Sequence, residues 1–174
     1  VDWKRKGGDI AIEACRILNS QGIKNIIHIV GPMELPNEYK ELPDVDFIGF
    51  LNKNNEEEYQ RVIQIISSSD ILILPTKAEC AGIVFAEASA YGLPIFTYDT
   101  GGVGNYVING VNGYRLPLKD NASEFAEKIK NSITTGKLTQ MKETAITLYK
   151  EKLNWERWSV CFKNIIENIN FYKK

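Results

Sequence analysis

Apolar positions follow two rhythms along this chain, and the alternation between them predicts its architecture. Ile10, Ala14, Ile17 and Leu18 recur at helical spacing until Gln21-Gly22, so a helix is expected there, closed by a turn. The continuous run Asn25-Ile26-Ile27-His28-Ile29-Val30 then reads as a buried parallel strand. The same exchange repeats downstream. A short strand is expected over 45–50, a helix over 56–68, a strand over 70–74, a helix over 79–91, a strand over 94–97 and a short helix from about 102 to 108. Beyond Pro117 the pattern is helical only, over 122–133, 138–150 and 155–172. Strands alternating with helices imply right-handed crossovers, and so an α/β fold with a Rossmann-like, doubly wound parallel sheet and helices on both faces. Ligands of such sheets bind outside the carboxyl ends of the strands.

The last helix carries Trp155, Trp158, Val160, Phe162, Ile165, Ile166 and Ile169, more apolar surface than one buried stripe uses. Two placements stay open: it caps this chain's own core, or it presents a sticky face to another domain.

Composition narrows the picture. The 174 residues suit one domain, and 44% hydrophobic with 25% charged content is that of a globular protein. A net charge of −1 argues against nucleic acid as a partner, which needs a concentrated basic face. Cys15, Cys80 and Cys161 are odd in number and far apart, and His28 is the lone histidine, so neither a disulfide framework nor a zinc or other metal site is expected. A reducing cytoplasm is the expected setting. No apolar run approaches the roughly 20 residues of a spanning helix. The chain opens on Val1-Asp2-Trp3 and is expected to be a domain of a longer protein.

Candidate chemistry lies in two places. Lys4-Arg5-Lys6-Gly7-Gly8-Asp9 is expected just before the first helix, where backbone amides, the helix dipole and a cationic side chain can converge on an anion such as a nucleotide diphosphate. Directly after the apolar run Ile71-Leu72-Ile73-Leu74-Pro75, Glu79 and Glu87 stand eight positions apart around a small-residue turn. Eight residues span a little over two helical turns, so both carboxylates can face one ligand along its length. Glu87 is flanked by Phe85, Ala86, Ala88 and Ala90, apolar company in which an ionised carboxylate needs a polar partner. Cys80 is expected as a buried filler and His28 as a core or strand-end residue, not as catalysts.

Glu79 and Glu87 with Ala88-Ser89-Ala90-Tyr91-Gly92-Leu93-Pro94-Ile95, followed by Asp99-Thr100-Gly101-Gly102 and Asn109-Gly110-Val111-Asn112-Gly113-Tyr114-Arg115-Leu116-Pro117, resemble the nucleotide-sugar-dependent glycosyltransferases of family 4, retaining enzymes of the GT-B fold. The resemblance covers nearly the whole chain, residues 1–174, but only the carboxyl-terminal, donor-binding half of such an enzyme. It implies that Glu79 contacts the donor sugar near the reacting carbon, with Lys6 on the diphosphate, and that Glu87 accepts hydrogen bonds from the ribose hydroxyls. Gly82, Ile83 and Val84 would offer the amino terminus of a helix to sugar and diphosphate, and Thr100, Gly101 and Gly102 a second set of amides. Where the family carries an Arg, five positions before Lys6, this chain has Val1, and Arg5 is the candidate substitute. No cofactor or metal is implied, because the cations replace one. The implied partners are the nucleotide-sugar donor and an amino-terminal acceptor domain, against which helix 155–172 would pack; membrane contact would come only through the full protein, at the inner face. Polysaccharide or lipopolysaccharide synthesis is the implied context. The alternatives are a nucleotide-sugar epimerase or hydrolase of the same fold and a non-catalytic nucleotide-sugar-binding module; a receiver-like domain is disfavoured because Asp70 precedes its strand.

Overall fold

The computed structural model describes residues 2–171, with side chains through position 168. In chain order the elements are α1 (Trp3–Lys6), α2 (Gly8–Ser20), β1 (Ile27–Val30), β2 (Val45–Gly49), α3 (Glu56–Ser68), β3 (Leu72–Leu74), α4 (Ile83–Ala90), β4 (Ile95–Tyr98), β5 (Gly113–Leu116), α5 (Ala122–Thr134), α6 (Lys137–Leu148) and α7 (Trp155–Phe171). The fold is α/β with parallel strands flanked by helices, as the alternating pattern implied.

Local chemistry explains the helix starts. At α3 the Asn55 side chain accepts the Glu58 amide, and three glutamates occupy the first turn, where the helix dipole favours negative charge. At α5 Asn121 and Glu124 form a reciprocal capping box. Helix α4 begins at Ile83, four residues later than position 79. The Ile83 N–H turns back to the Ala81 carbonyl at 2.9 Å, and Gly82 sits at φ −73°, ψ 82°, outside the helical region. Glu79 therefore lies on a loop, while Glu87 lies on the helix.

One continuous sheet was expected; the backbone forms two. Strand β1 pairs with β2, Ile27 opposite Val45, and β3, β4 and β5 form a second parallel sheet with Leu72 opposite Ile95 and Ile95 opposite Gly113. Strand β3 has only three residues, and side chains join the halves instead. Ile73 packs both on the cluster of Phe96, Tyr98 and Phe125 and on that of Ile12, Ile27 and Ile29. A third cluster, Phe85, Leu93, Ile95, Val103 and Val107, seats α4 against β4. Strand β5 was not anticipated: its four residues Gly-Tyr-Arg-Leu are too few and too mixed to show a strand rhythm.

Helix α7 answers the open question of its placement. Trp155 is 72% exposed and Trp158 54%, Trp158 stacks on Phe162 with ring centres 5.0 Å apart, and every side chain of this helix described is exposed. The described side chains of α7 do not cap the core of this chain. Position 172 and the side chain of Ile169 lie outside the described residues. Among the described residues no helix is long and apolar enough to cross a membrane.

Candidate active site

Three loops meet beyond the carboxyl end of β3. The first is the joint between α1 and α2. Gly7 turns it at φ 73°, and a Cβ there would stand 2.2 Å from the Pro75 carbonyl oxygen, so the joint docks directly on the chain leaving β3. Two hydrogen bonds hold it: Lys77 N–H to the Arg5 carbonyl at 2.8 Å, and the Arg5 guanidinium to the Ala78 carbonyl at 2.8 Å. This docking carries Lys6 Nζ to within 2.5 Å of Glu79 Oε2, with the two side chains 24% and 14% exposed. Val1 lies outside the described residues.

The third loop, Thr100-Gly101-Gly102, closes on the other side of Glu79. Thr100 Oγ1 donates to the Lys77 carbonyl at 3.2 Å, and the Gly102 amide donates to the Glu79 carbonyl at 3.0 Å. A Cβ on Gly101 would lie 2.1 Å from that same carbonyl oxygen. These glycines let two backbones touch. Here the Gly102 N–H is taken by the Glu79 carbonyl. The Ile83 amide is likewise committed to Ala81. The Val84 amide has no partner among the described residues and points along the free end of α4.

Charges around α1 sort themselves. Lys4 reaches Asp9 at 3.0 Å, and Trp3 Nε1 donates to the same carboxylate. Burial pushes the Asp9 carboxyl up, but the hydrogen bonds from Trp3 and Lys4 outweigh it and hold its pKa below the usual range. Lys4 is thus engaged, and Lys6 is the cation facing Glu79.

Glu87 finds its polar partner in a residue that the sequence did not single out. Lys53 Nζ lies 2.5 Å from Glu87 Oε1, with side chains 48% and 35% exposed. The available signal was position: Lys53 follows the carboxyl end of β2, on the same edge of the fold. Glu87 itself is about 6 Å along α4 from Ile83 at 1.5 Å per residue. Arg115, within the Asn109–Pro117 motif, pairs with Asp99 at 2.9 Å, and a Cβ on Gly104 would lie 2.4 Å from its guanidinium.

Two further expectations change. Cys80 is exposed, not a buried filler, because the Ala81-Gly82 turn lifts it off the helix. His28 sits within β1 and meets Asp46 on the adjacent strand at 2.8 Å, and it is exposed rather than core. Clefts of about 420 Å³, lined in part by Tyr114, Arg115 and Lys128, and about 320 Å³, lined by Trp3, Leu35 and Lys40, lie elsewhere; neither includes Lys6, Glu79 or Glu87. Among the described residues no cluster of three metal-ligating side chains occurs.

Parallel strands flanked by helices are the fold that the molecule shares with its structural neighbours, which are GT-B glycosyltransferases. The chain belongs to the family described as glycosyl transferases group 1, which matches residues 3–147. It is 27% identical over 143 residues to the lipopolysaccharide glucosyltransferase WaaG of Escherichia coli, covering 80% of this chain and 36% of WaaG. A glycosyltransferase of Methanocaldococcus jannaschii is 25% identical over 174 residues, 95% of this chain and 46% of that protein. The crystal structure of WaaG superposes with a TM-score of 0.71 at 25% identity, over 87% of this chain and 41% of WaaG. The pneumococcal O-GlcNAc transferase GtfA, in complex with UDP and GlcNAc, gives 0.75 at 19% identity over 94% of this chain and 33% of GtfA. The chain thus spans less than half the length of these relatives.

Proposed function

We propose that this chain is the carboxyl-terminal, donor-binding half of a retaining family 4 glycosyltransferase that moves a sugar from a nucleoside diphosphate sugar to an acceptor hydroxyl. The observation that carries the reading is the meeting of Lys6 with Glu79 at 2.5 Å beneath the Gly101-Gly102 loop, which brings three separate motifs to one strand end.

In this reading Lys6 shifts from Glu79 onto the diphosphate, the free end of α4 at Val84 adds an amide, and the two stabilise charge as the sugar–phosphate bond lengthens. Arg5 stays on the Ala78 carbonyl and shapes the loop. Glu79 then accepts hydroxyls of the donor sugar, and Glu87 those of the ribose, each carboxylate taking two donors. The leaving phosphate takes the acceptor's proton, so no metal, cofactor or protein base takes part. A UDP donor is supported by GtfA, whose structure contains UDP and GlcNAc. A role in polysaccharide or lipopolysaccharide synthesis is supported by WaaG. The exposed apolar face of α7 fits an acceptor domain, and the full protein works in the cytoplasm, peripherally at the membrane.

Calorimetric titration with UDP, GDP and ADP tests the reading. Selective binding of one nucleotide, weakened at least tenfold by Glu79→Ala with its sugar conjugate and by Glu87→Ala with the nucleotide alone, is expected. Absence of binding by all three to the folded chain overturns it.

A further inference from the structure

We infer that Lys53 is a positioning residue for the ribose of the donor nucleotide, acting through Glu87; the inference rests on the donor-site reading above. An exposed lysine paired with a glutamate is ordinarily a surface ornament that contributes little to stability. Lys53 is different in how it is presented. The turn that bears it is tied at four points. The Asn52 amide donates to Glu58 Oε2 at 2.7 Å, the Asn54 amide to Asn52 Oδ1 at 3.0 Å, the Asn55 amide to the Asn52 carbonyl at 2.9 Å, and the Glu58 amide to Asn55 Oδ1 at 3.1 Å. Lys53 is therefore aimed by a fixed turn at the end of β2, across 34 positions of sequence, onto Glu87 Oε1.

Glu87 otherwise stands on an apolar helix with nothing on α4 to orient it, since its flanking residues are Phe85, Ala86, Ala88 and Ala90. A free glutamate loses rotamer entropy when a ligand fixes it. Lys53 holds Oε1 in advance and leaves Oε2 open, so a vicinal diol meets a carboxylate already in place. Phe50, 57% exposed on the same stretch between β2 and α3, flanks the place where a nucleoside would lie.

The test compares a ribonucleotide with its 2′-deoxy form, taking whichever of UDP, GDP or ADP binds best. Wild type is expected to favour the ribose form about tenfold, the discrimination of one hydrogen bond to a charged group. Lys53→Ala is expected to narrow that preference to about twofold, with an unchanged melting temperature, and Lys53→Arg to restore it. A merely structural or general electrostatic role would weaken both ligands equally, and that result overturns the inference. Loss of discrimination in Glu87→Ala but not in Lys53→Ala overturns the inference and leaves the donor site standing. No binding by any nucleotide overturns the donor site and this inference together.

Discussion

Lys6 and Glu79, 73 positions apart in the chain, meet at 2.5 Å because Gly7 allows the α1–α2 joint to rest on Pro75. The pair is mostly shielded, so removing one partner leaves the other without compensation. Lys6→Met is expected to cost about 1–3 kcal/mol of stability by denaturant unfolding and to abolish nucleotide diphosphate binding in calorimetry. Full retention of both would detach this pair from the site.

Gly101 and Gly82 are expected to reject a methyl group for different reasons. At Gly101 the φ of 49° and the Glu79 carbonyl 2.1 Å from a Cβ combine strain with a backbone clash, and Gly101→Ala should destabilise by at least about 2 kcal/mol. At Gly82 the backbone is ordinary, but a Cβ would lie 2.5 Å from the ring of Phe85, which is fully buried. Gly82→Ala should therefore displace the Glu79 loop and weaken donor binding more than it lowers the melting temperature. Equal behaviour of both variants with wild type would contradict these contacts.

Alkaline pH should destabilise the fold. Burial, with Asp44 adding to it, pushes the Cys15 thiol from 9.0 to about 12, and burial with Asp9 and Glu38 pushes Tyr39 from 10.0 to about 12. The unfolded chain releases these protons first, so stability is intact below about pH 9 and falls as pH rises toward 12. Thermal melts from pH 7 to 11.5 should show the fall, and Cys15→Ala should reduce it. A flat profile over that range would refute the burial of these groups.

Thiol reactivity should split the three cysteines. Cys80 and Cys161 are exposed and Cys15 is buried, and the thiolate is the reactive form. A chromogenic disulfide reagent at pH 8 should consume two thiols rapidly and the third only on unfolding. Protection of one fast thiol by the nucleotide that binds best, lost in Cys80→Ser, would place Cys80 at the mouth of the site; three fast thiols would contradict the packing of α2.

The aromatic ladder of α7 should make the chain adhesive. Replacing Trp155, Trp158 and Phe162 by serine is expected to lower binding of an apolar fluorescent dye and self-association without lowering the melting temperature. A large loss of stability would mean that these rings support the core.

Much of this structure was legible where local chemistry and tertiary packing agree. Helix α3 spans Glu56–Ser68, as its rhythm implied, because Asn55 and three glutamates mark its start. The start of α4 was misplaced because Ala81-Gly82 adopts a turn whose only sequence mark is one glycine. Glu79, Glu87, Lys6 and the glycines were legible as types and spacings, but not the direction of each amide: that Gly102 faces Glu79's carbonyl depends on how two loops stack. Lys53 was invisible for a similar reason, since periodicity within one element does not report a partner 34 positions away.

The joining of residues 5–7, 77–82 and 100–102 also has a kinetic meaning. None of these loops can form the site from local contacts, so long stretches of chain must close before it exists, and such closures come at an entropic cost. A ligand held there would grip only the finished fold. It should slow the escape from the native state far more than it hastens arrival, which makes occupancy of this site a gauge of whether the whole domain has folded.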